Sequence, residues 1–148
     1  MRLVVQRVKE ASVEVEGDIV ASIDKGYMVL IGFCDGDSEK EADYMANKLL
    51  KLRIFEDENG NMNLPVNDVD GKVLLVPQFT LYGNTHKHNR PSFSKAMAPA
   101  EASELFDYFI SKCSEAMEVQ SGIFGAFMGV SLINDGPVTI IIEKEFEN

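Results

Sequence analysis

The segment Tyr27–Phe33 constrains the fold most, because its run Tyr-Met-Val-Leu-Ile-Gly-Phe offers no polar face. A strand with one solvated face alternates apolar and polar side chains, whereas an uninterrupted apolar run is typical of a strand covered on both faces. The turn residues Asp24-Lys25-Gly26 precede this run and set its beginning. The sequence therefore predicts a central strand with packed layers on both sides of it.

Further strands are predicted before and after this centre. Leu3–Val8 and Ser12–Val15 have the composition of short strands, and the turn Glu16-Gly17-Asp18 leads into Ile19–Ile23, which predicts a meander of four strands up to Phe33. Lys72–Val76 is predicted as another buried strand. The β-branched run near the end of the chain favours a strand, and the two closing strands are predicted at Phe127–Ile133 and Val138–Glu143.

Two helices are predicted from their caps and apolar stripes. Ser38 with Glu41 three residues later forms a capping box, and Pro99 suits the first turn of the second helix. Apolar residues recur at helical spacing after each start: Ala42, Met45, Ala46, Leu49 and Leu50, then Leu105, Phe106, Phe109, Ile110, Cys113 and Met117. The predicted class is α+β, a single domain over residues 1–148 with a mostly antiparallel sheet or open barrel and two packed helices.

Composition excludes several classes of protein. No apolar run reaches the roughly 18 to 20 residues that cross a bilayer, so no membrane partner is expected. Cys34 and Cys113 are far apart and belong to no CxxC pair, which favours two free thiols over a disulfide. Free thiols suit a reducing compartment, and the predicted location is cytoplasmic.

The net charge of −10 bears on possible partners. Binding to a nucleic-acid backbone usually relies on Lys and Arg that neutralise phosphates, so an acidic chain should repel a long duplex. Recognition of an RNA end through a local site, with stacking and backbone contacts, remains open. Composition alone therefore disfavours nucleic-acid binding, and any such prediction must come from motifs.

Familiar catalytic and metal motifs are absent from the sequence, which has no GxSxG, Walker-type or HExxH segment. His86 and His88 lie two apart in a polar loop, and a solvated loop is favoured over a metal site because no cysteine or carboxylate cluster completes a ligand set. The acidic run Glu56-Asp57-Glu58 is interpreted as a solvated turn. No metal and no cofactor are predicted.

Two segments remain as candidates for chemistry. Gln78-Phe79-Thr80 comes at the end of a buried strand. It either continues that strand without any further role, or it presents the Thr80 hydroxyl and backbone N–H groups to a cleft. The hydroxyl as nucleophile would need a base, and none is apparent, whereas backbone N–H groups stabilise an oxyanion without one. Residues 134–139, Asn-Asp-Gly-Pro-Val-Thr, are sufficiently explained as a hairpin turn, and a cis peptide before Pro137 is a minority outcome for X–Pro bonds.

Taken together, the motifs of this chain resemble those of the D-aminoacyl-tRNA deacylase family, from Met1 to about Glu143. Each motif alone is weak, but their order in a chain of this length makes the match specific. They are Val-Val-Gln-Arg at 4–7, Ala-Ser-Val at 11–13, Leu-Arg-Ile-Phe at 52–55, Met-Asn-Leu at 62–64, Gln-Phe-Thr-Leu-Tyr at 78–82, Arg-Pro-Ser-Phe at 90–93, Phe-Gly-Ala at 124–126 with Met128, Val-Ser-Leu at 130–132 and Asn-Asp-Gly-Pro-Val-Thr.

The resemblance implies a homodimer with its active sites at the subunit interface and the 3′ end of aminoacyl-tRNA as substrate. Gln78, Phe79 and Thr80 would line the pocket for the terminal adenosine and its aminoacyl group. Gly136 and Pro137, joined by a cis bond in such chiral proofreaders, would enter the partner's site and exclude L side chains by a built-in clash. Two further assignments follow: Arg7 would help hold the Gly-Pro segment across the interface, and Phe124, Gly125, Ala126 and Met128 would border the adenine.

The implied reaction is hydrolysis of the ester bond of D-aminoacyl-tRNA, and of glycyl-tRNA, with assistance from the 2′-hydroxyl and from backbone N–H groups near Phe79 and Thr80. Thr80 as a covalent nucleophile ranks second. Pro77 stands where bacterial members commonly have Ser, and a related branch that edits another mis-acylated tRNA also has Pro there but usually lacks Phe79. The rival readings are a dimeric module that binds RNA ends without hydrolysis, a deacylase of glycyl- or L-alanyl-tRNA, and an unrelated α+β protein.

Overall fold

The computed structural model describes residues 1–145 and contains one large sheet, one small sheet and two long helices. The bounds of the strands and helices in chain order are β1 Arg2–Val15, β2 Asp18–Ile23, β3 Gly26–Gly32, α1 Glu39–Lys51, β4 Phe55–Glu56, β5 Met62–Leu64, β6 Lys72–Pro77, α2 Pro99–Ser114, β7 Val119–Ser121 and β8 Gly129–Glu143, with short 3₁₀ turns at Val66–Val69 and Phe79–Tyr82. Strands β4 and β5 form the small sheet.

The first strand is continuous, and the predicted meander is wrong. The two predicted segments 3–8 and 12–15 are halves of β1, because Val8-Lys9-Glu10 contains no turn residue that would reverse the chain. The first half of β1 pairs with β3 and the second half with β2, both antiparallel. One long strand therefore takes the place of two short ones, and it lies between β2 and β3 in the sheet order β2-β1-β3-β6-β7.

The predicted hairpin at Asn134–Pro137 is also wrong, because the chain keeps its direction through this segment. Both halves of β8 pair antiparallel with β1, with Gln6 opposite Thr139 and Val8 opposite Asn134. The residues between Asn134 and Thr139 therefore bulge out opposite the single residue Arg7. These turn-forming residues make a bulge and not a chain reversal, because the parts of β8 before and after them both pair with β1.

Strand β3 has a layer on each face, as the apolar run predicts. Tyr27, Val29 and Ile31 belong to the core that also holds the buried faces of both helices. Met28 faces a second core built from β1, β2 and β6. The α+β class with two packed helices is confirmed, and the sheet is mixed, since β3 pairs with β6 and β6 with β7 in parallel. Helices α1 and α2 lie in the crossovers that such parallel pairs require.

Both predicted helix starts are confirmed. The Ser38 side chain accepts from Lys40 N, and the Ser38 N–H donates to Glu41 Oε2 at 2.8 Å, which completes the capping box of α1. Pro99 occupies the first turn of α2, where its missing N–H costs nothing. Within residues 1–145, no helix is long and apolar enough to span a membrane.

The Ser38→Ala substitution is expected to lower the free energy of unfolding by about 1 kcal/mol, because it leaves N–H groups at the start of α1 without the side-chain acceptor. Urea unfolding followed by circular dichroism measures the change. Ser111→Ala on the exposed face of α2 is the matched control and should change stability by less than about 0.5 kcal/mol. Equal losses in both variants would contradict the capping role.

Candidate active site

A cavity of about 600 Å³ opens where β3 and β6 end. Because these strands are parallel, their carboxyl ends meet at one edge of the sheet, the place where open α/β sheets usually bind ligands. The start of α2 and the segment that leads into β8 complete the wall. The lining residues are mostly apolar: Ile31, Phe33, Val76, Pro77, Gln78, Phe79, Phe93, Ala96, Met97, Ala98, Pro99, Ala102, Phe124, Gly125, Ala126, Phe127, Met128 and Val130.

The Gln78-Phe79-Thr80 segment turns away from the end of β6 at the mouth of this cavity. Gln78 N donates to Ile31 O at 2.7 Å, which extends the parallel ladder by one bond. The chain then enters the 3₁₀ turn Phe79–Tyr82, and a Cβ on Gly32 would lie 2.9 Å from Leu81 Cβ. Glycine at position 32 is thus what lets this turn pack directly on β3.

Phe79 and Thr80 face solvent at the beginning of the turn. The Phe79 ring is 60% exposed and packs edge-on against Phe93, with ring centroids 5.1 Å apart. The Gln78 side-chain amide donates to Thr80 Oγ. The N–H groups of Phe79 and Thr80 come first in the turn, where a helix provides no acceptor, and no backbone acceptor for them lies within residues 1–145. These two N–H groups are the donors that the sequence predicts near an oxyanion.

No acidic or basic side chain lines the cavity among residues 1–145, and no His, Cys, Lys or Tyr does so either. Tyr82 is the titratable group that ends the 3₁₀ turn. Burial raises the pKa of its phenol, and the negative charge of Asp37 raises it further, so Tyr82 stays protonated at neutral pH. Within residues 1–145, the lining thus offers hydrogen-bonding groups and apolar surface but no side-chain acid or base.

The segment 124–128 forms the wall opposite Gln78. Phe124, Gly125, Ala126 and Met128, which the resemblance assigns to the border of the adenine, all line the cavity. Gly125 has a φ of 80°, a conformation that L side chains rarely adopt. Phe124 packs toward Phe106 of α2, with ring centroids 6.2 Å apart, which anchors this wall to the helix.

Gly136, Pro137 and Arg7 lie outside the lining of this cavity. The Gly136–Pro137 bond is cis, and both residues are exposed. Gly136 lies six residues beyond Val130 of the cavity along β8, which corresponds to roughly 20 Å of strand at about 3.3 Å per residue. Arg7 is 5% exposed and holds the bulge of its own chain: its Nε donates to Asp135 O at 3.0 Å, and its Nη1 to Ile54 O at 2.7 Å.

A sequence model of the D-Tyr-tRNA(Tyr) deacylase family matches residues 4–143. The chain belongs to this family. The match covers nearly all of the chain, including the cavity and the Gly136–Pro137 bulge. The predicted family is thereby confirmed, as is the predicted class of enzyme, a hydrolase of the aminoacyl-tRNA ester bond.

Individual relatives agree with the family assignment. The chain is 53% identical over 146 residues to a D-aminoacyl-tRNA deacylase of Clostridium tetani, with 98% of each chain covered. It is 53% identical over 144 residues to one of Kosmotoga olearia, with 97% of each covered. A solved structure of the c-Myc DNA Unwinding Element Binding Protein has a TM-score of 0.93 at 39% identity, covering 99% of this chain and 100% of that one.

A second solved structure, of a probable eukaryotic D-amino acid tRNA deacylase, has a TM-score of 0.83. It covers 95% of this chain and 97% of its own, but at 21% identity it shows the fold alone. The two structures together confirm that the deacylase fold is the fold of this chain.

The geometry separates the residues that the sequence predicts for the deacylase site into two groups. Gln78 and Phe79 lie with the 124–128 wall at the cavity, and Thr80 is at its mouth, whereas Gly136–Pro137 lie midway along β8, opposite Arg7 of β1. Sequence reasoning missed Phe127, whose ring is 99% exposed at the cavity rim. Its only signal was a bulky apolar residue at the predicted beginning of a strand.

The remaining polar candidates lie away from the cavity. His86 and His88 are exposed in the loop after the 3₁₀ turn. Over the described range 1–145, no three His, Cys, Asp or Glu side chains are grouped as a metal would need. Cys34 and Cys113 are free thiols, as predicted, and burial raises the pKa of Cys113 to about 12.

Proposed function

We propose that this chain hydrolyses D-aminoacyl-tRNA in the cavity between Gln78-Phe79-Thr80 and the 124–128 wall, and that the cavity takes the 3′-terminal adenosine with its aminoacyl group. The observation that carries the proposal is an apolar cavity of about 600 Å³ with two unpaired backbone N–H groups at its mouth and no acid or base in its lining. An apolar cleft with a few directed polar groups is what a small ligand requires.

The N–H groups of Phe79 and Thr80 polarise the ester carbonyl and stabilise the oxyanion that forms when water attacks. The 2′-hydroxyl of the terminal ribose assists proton transfer, so that the protein supplies position and hydrogen bonds. The aminoacyl–oxygen bond breaks, and free amino acid and tRNA leave. The contact from the Gln78 amide argues against Thr80 as the nucleophile, because an amide in either orientation is no base.

The second part of the proposal is a homodimer in which Gly136 and Pro137 enter the partner's cavity. The distance along β8 keeps them away from the cavity of their own chain, while their exposure leaves them available to another subunit. Strand β8 also lies at an edge of the sheet and carries the exposed side chains of Ile133 and Ile141. A long apolar edge strand is a natural surface for a two-fold interface.

Chiral selection then follows from exclusion. The carbonyl groups of Gly136 and Pro137 occupy the space that an L side chain needs, whereas a D side chain points away from them. Glycine has no side chain to exclude, so slow hydrolysis of glycyl-tRNA accompanies the main activity. Pro77 is buried and lines the cavity, and the related branch that edits another mis-acylated tRNA also has Pro at this position. L-alanyl-tRNA is therefore the second substrate to be tested. The family assignment and the free thiols suit the cytoplasm, where aminoacyl-tRNA is made and used.

The decisive experiment measures the release of tyrosine from D-tyrosyl-tRNA and L-tyrosyl-tRNA side by side with purified protein. We expect rapid hydrolysis of the D ester and no hydrolysis of the L ester above the uncatalysed rate. Stable binding of both esters without release would favour the RNA-end binding module. Hydrolysis of L-alanyl-tRNA alone would favour the editing branch that shares Pro77.

The Thr80→Ala substitution separates the two mechanisms. If backbone donors carry the reaction, kcat/KM for D-tyrosyl-tRNA should fall by less than about tenfold, since only one side-chain hydrogen bond is lost. If Thr80 were the nucleophile, the loss would be on the order of a thousandfold or more. Ser111→Ala, which removes an exposed hydroxyl on α2 away from the cavity lining, is the control, and circular dichroism checks that each variant is folded.

A further inference from the structure

A second cavity of about 380 Å³ lies on the other side of the 3₁₀ turn Phe79–Tyr82. Its lining is polar and includes Arg2, Asn84, His86 and Lys95. The turn separates the two cavities: Phe79 lines the first, and Tyr82 lines the second. Three residues of a 3₁₀ helix advance about 6 Å, so one nucleotide of an extended RNA can reach from one cavity to the other.

Acidic residues are missing from the chain segment that supplies most of the lining of this second cavity. Residues 71–100 contain no Asp or Glu, although the chain has 24 acidic residues in all. The same segment carries Lys72, Lys87, Arg90 and Lys95 together with both histidines. Carboxylates of other segments lie near this cavity: Glu143 pairs with the Arg2 guanidinium, and the charges of Asp37 and Glu145 act on the Tyr82 phenol. The segment 71–100 itself adds no negative charge, so its Lys and Arg side chains can attract an anion locally.

The cationic groups at this cavity differ in how they are held. The Arg2 guanidinium lies 4.7 Å from the centre of the Tyr82 ring and donates to Glu143 and to the Leu81 carbonyl, which fixes its plane and uses two of its five N–H groups. The Lys95 ammonium takes part in no salt bridge within residues 1–145. The His86 N–H of the backbone donates to Asn84 Oδ1 at 2.8 Å, which shapes the loop around the cavity.

We infer that this second cavity binds a backbone phosphate of the substrate RNA, next to the terminal adenosine, through Lys95, His86 and Arg2. The inference rests on the proposed function, because the adenosine must occupy the first cavity for its phosphate to reach the second. A fixed guanidinium beside a flexible ammonium is a common arrangement for phosphate. It also explains how a chain with a net charge of −10 holds an RNA end: the attraction is local.

The test compares D-tyrosyl-tRNA with D-tyrosyl-adenosine, an ester of the same nucleoside that has no phosphate. Lys95→Gln should lower the ratio of kcat/KM for the tRNA to kcat/KM for the nucleoside ester by about five- to tenfold, mostly through KM, as the loss of one charged contact predicts. His86→Ala should lower the same ratio by a smaller factor, through the loss of one hydrogen bond. Lys87→Gln is the control, because Lys87 is in the same acid-free segment but does not line the cavity. Its ratio should stay within a factor of about two.

A second readout is the binding of a short uncharged RNA that ends in CCA, measured by fluorescence anisotropy over a range of salt concentrations. Lys95→Gln should raise Kd and reduce the slope of log K against log salt by about 0.7, the value for one phosphate contact on a single strand. Equal losses on both esters, no loss on either, or the same loss in Lys87→Gln would overturn the inference. If the native chain hydrolyses neither ester, the proposed function is wrong. The salt-dependent binding of the short RNA then tests by itself whether the second cavity binds phosphate.

Discussion

The Gly136→Ala substitution is expected to lower the preference for D-tyrosyl-tRNA over L-tyrosyl-tRNA by at least about tenfold, which corresponds to about 1.4 kcal/mol of discrimination. A Cβ at this position would lie 2.2 Å from Asn134 Oδ1 and 3.3 Å from Val138 N. Asn134 cannot move freely, because its amide donates to Arg7 O at 3.1 Å and to Val138 O at 3.0 Å. The bulge must therefore rearrange, and the carbonyl groups that exclude L side chains move with it.

The measurement is the ratio of initial rates on the two esters, together with sedimentation equilibrium to follow the oligomeric state. Gly129→Ala is the matched control, since it lies on the same strand and its Cβ would have Glu14 Cβ as nearest neighbour at 3.9 Å. The control should keep both selectivity and assembly. A Gly136→Ala variant that assembles like the native chain and keeps its full preference for the D ester would rule out the exclusion role.

The Gly26→Ala substitution is expected to lower the free energy of unfolding by about 3 kcal/mol or more. Gly26 begins β3 and pairs with Lys72 in the parallel ladder, and its Cβ would lie 1.8 Å from Lys72 O. This neighbour is backbone, so no side chain can turn aside to relieve the clash. The two central strands must separate, and the ladder that positions Gln78 at its far end is lost with them.

Urea unfolding of the variant, or the yield of soluble protein if it does not fold, measures this loss. Gly129→Ala again serves as control and should change stability by less than about 0.5 kcal/mol, because its added methyl group meets no close atom. A Gly26→Ala variant with native stability would contradict the close approach of β3 and β6. A variant that is stable but inactive would show that the substitution disturbs only the position of Gln78 at the end of the β3–β6 ladder.

The cavity was only partly predictable from the sequence. Its wall at 124–128 was identified through the family resemblance alone, since it carries no titratable group that would mark it by chemistry, whereas Gln78-Phe79 was already a candidate because it follows a buried strand. Phe127 and the cavity that Lys95 lines gave no such mark either. Both features arise only where distant segments come together at the carboxyl ends of β3 and β6. Which segments come together there depends on pairing between strands that are far apart in the chain.

The sequence by itself determined the features that depend on neighbouring residues. An apolar run without alternation identified β3 as a central strand, and Ser38 with Glu41 identified the start of α1, because burial pattern and cap hydrogen bonds are local. The family motifs likewise identified the enzyme class, since each motif is contiguous in the chain.

Only the tertiary structure decided how distant strands pair. Asn134–Pro137 has the residues of a reversing turn, yet it forms a bulge because β1 is long enough to pair with the strand on both sides of it. In the same way, the parallel alignment of β3 with β6 depends on the crossover through α1 and on the space left by Gly26. Local propensity is worth a few tenths of a kcal/mol per residue, and the hydrogen bonds and burial gained along a whole ladder outweigh it.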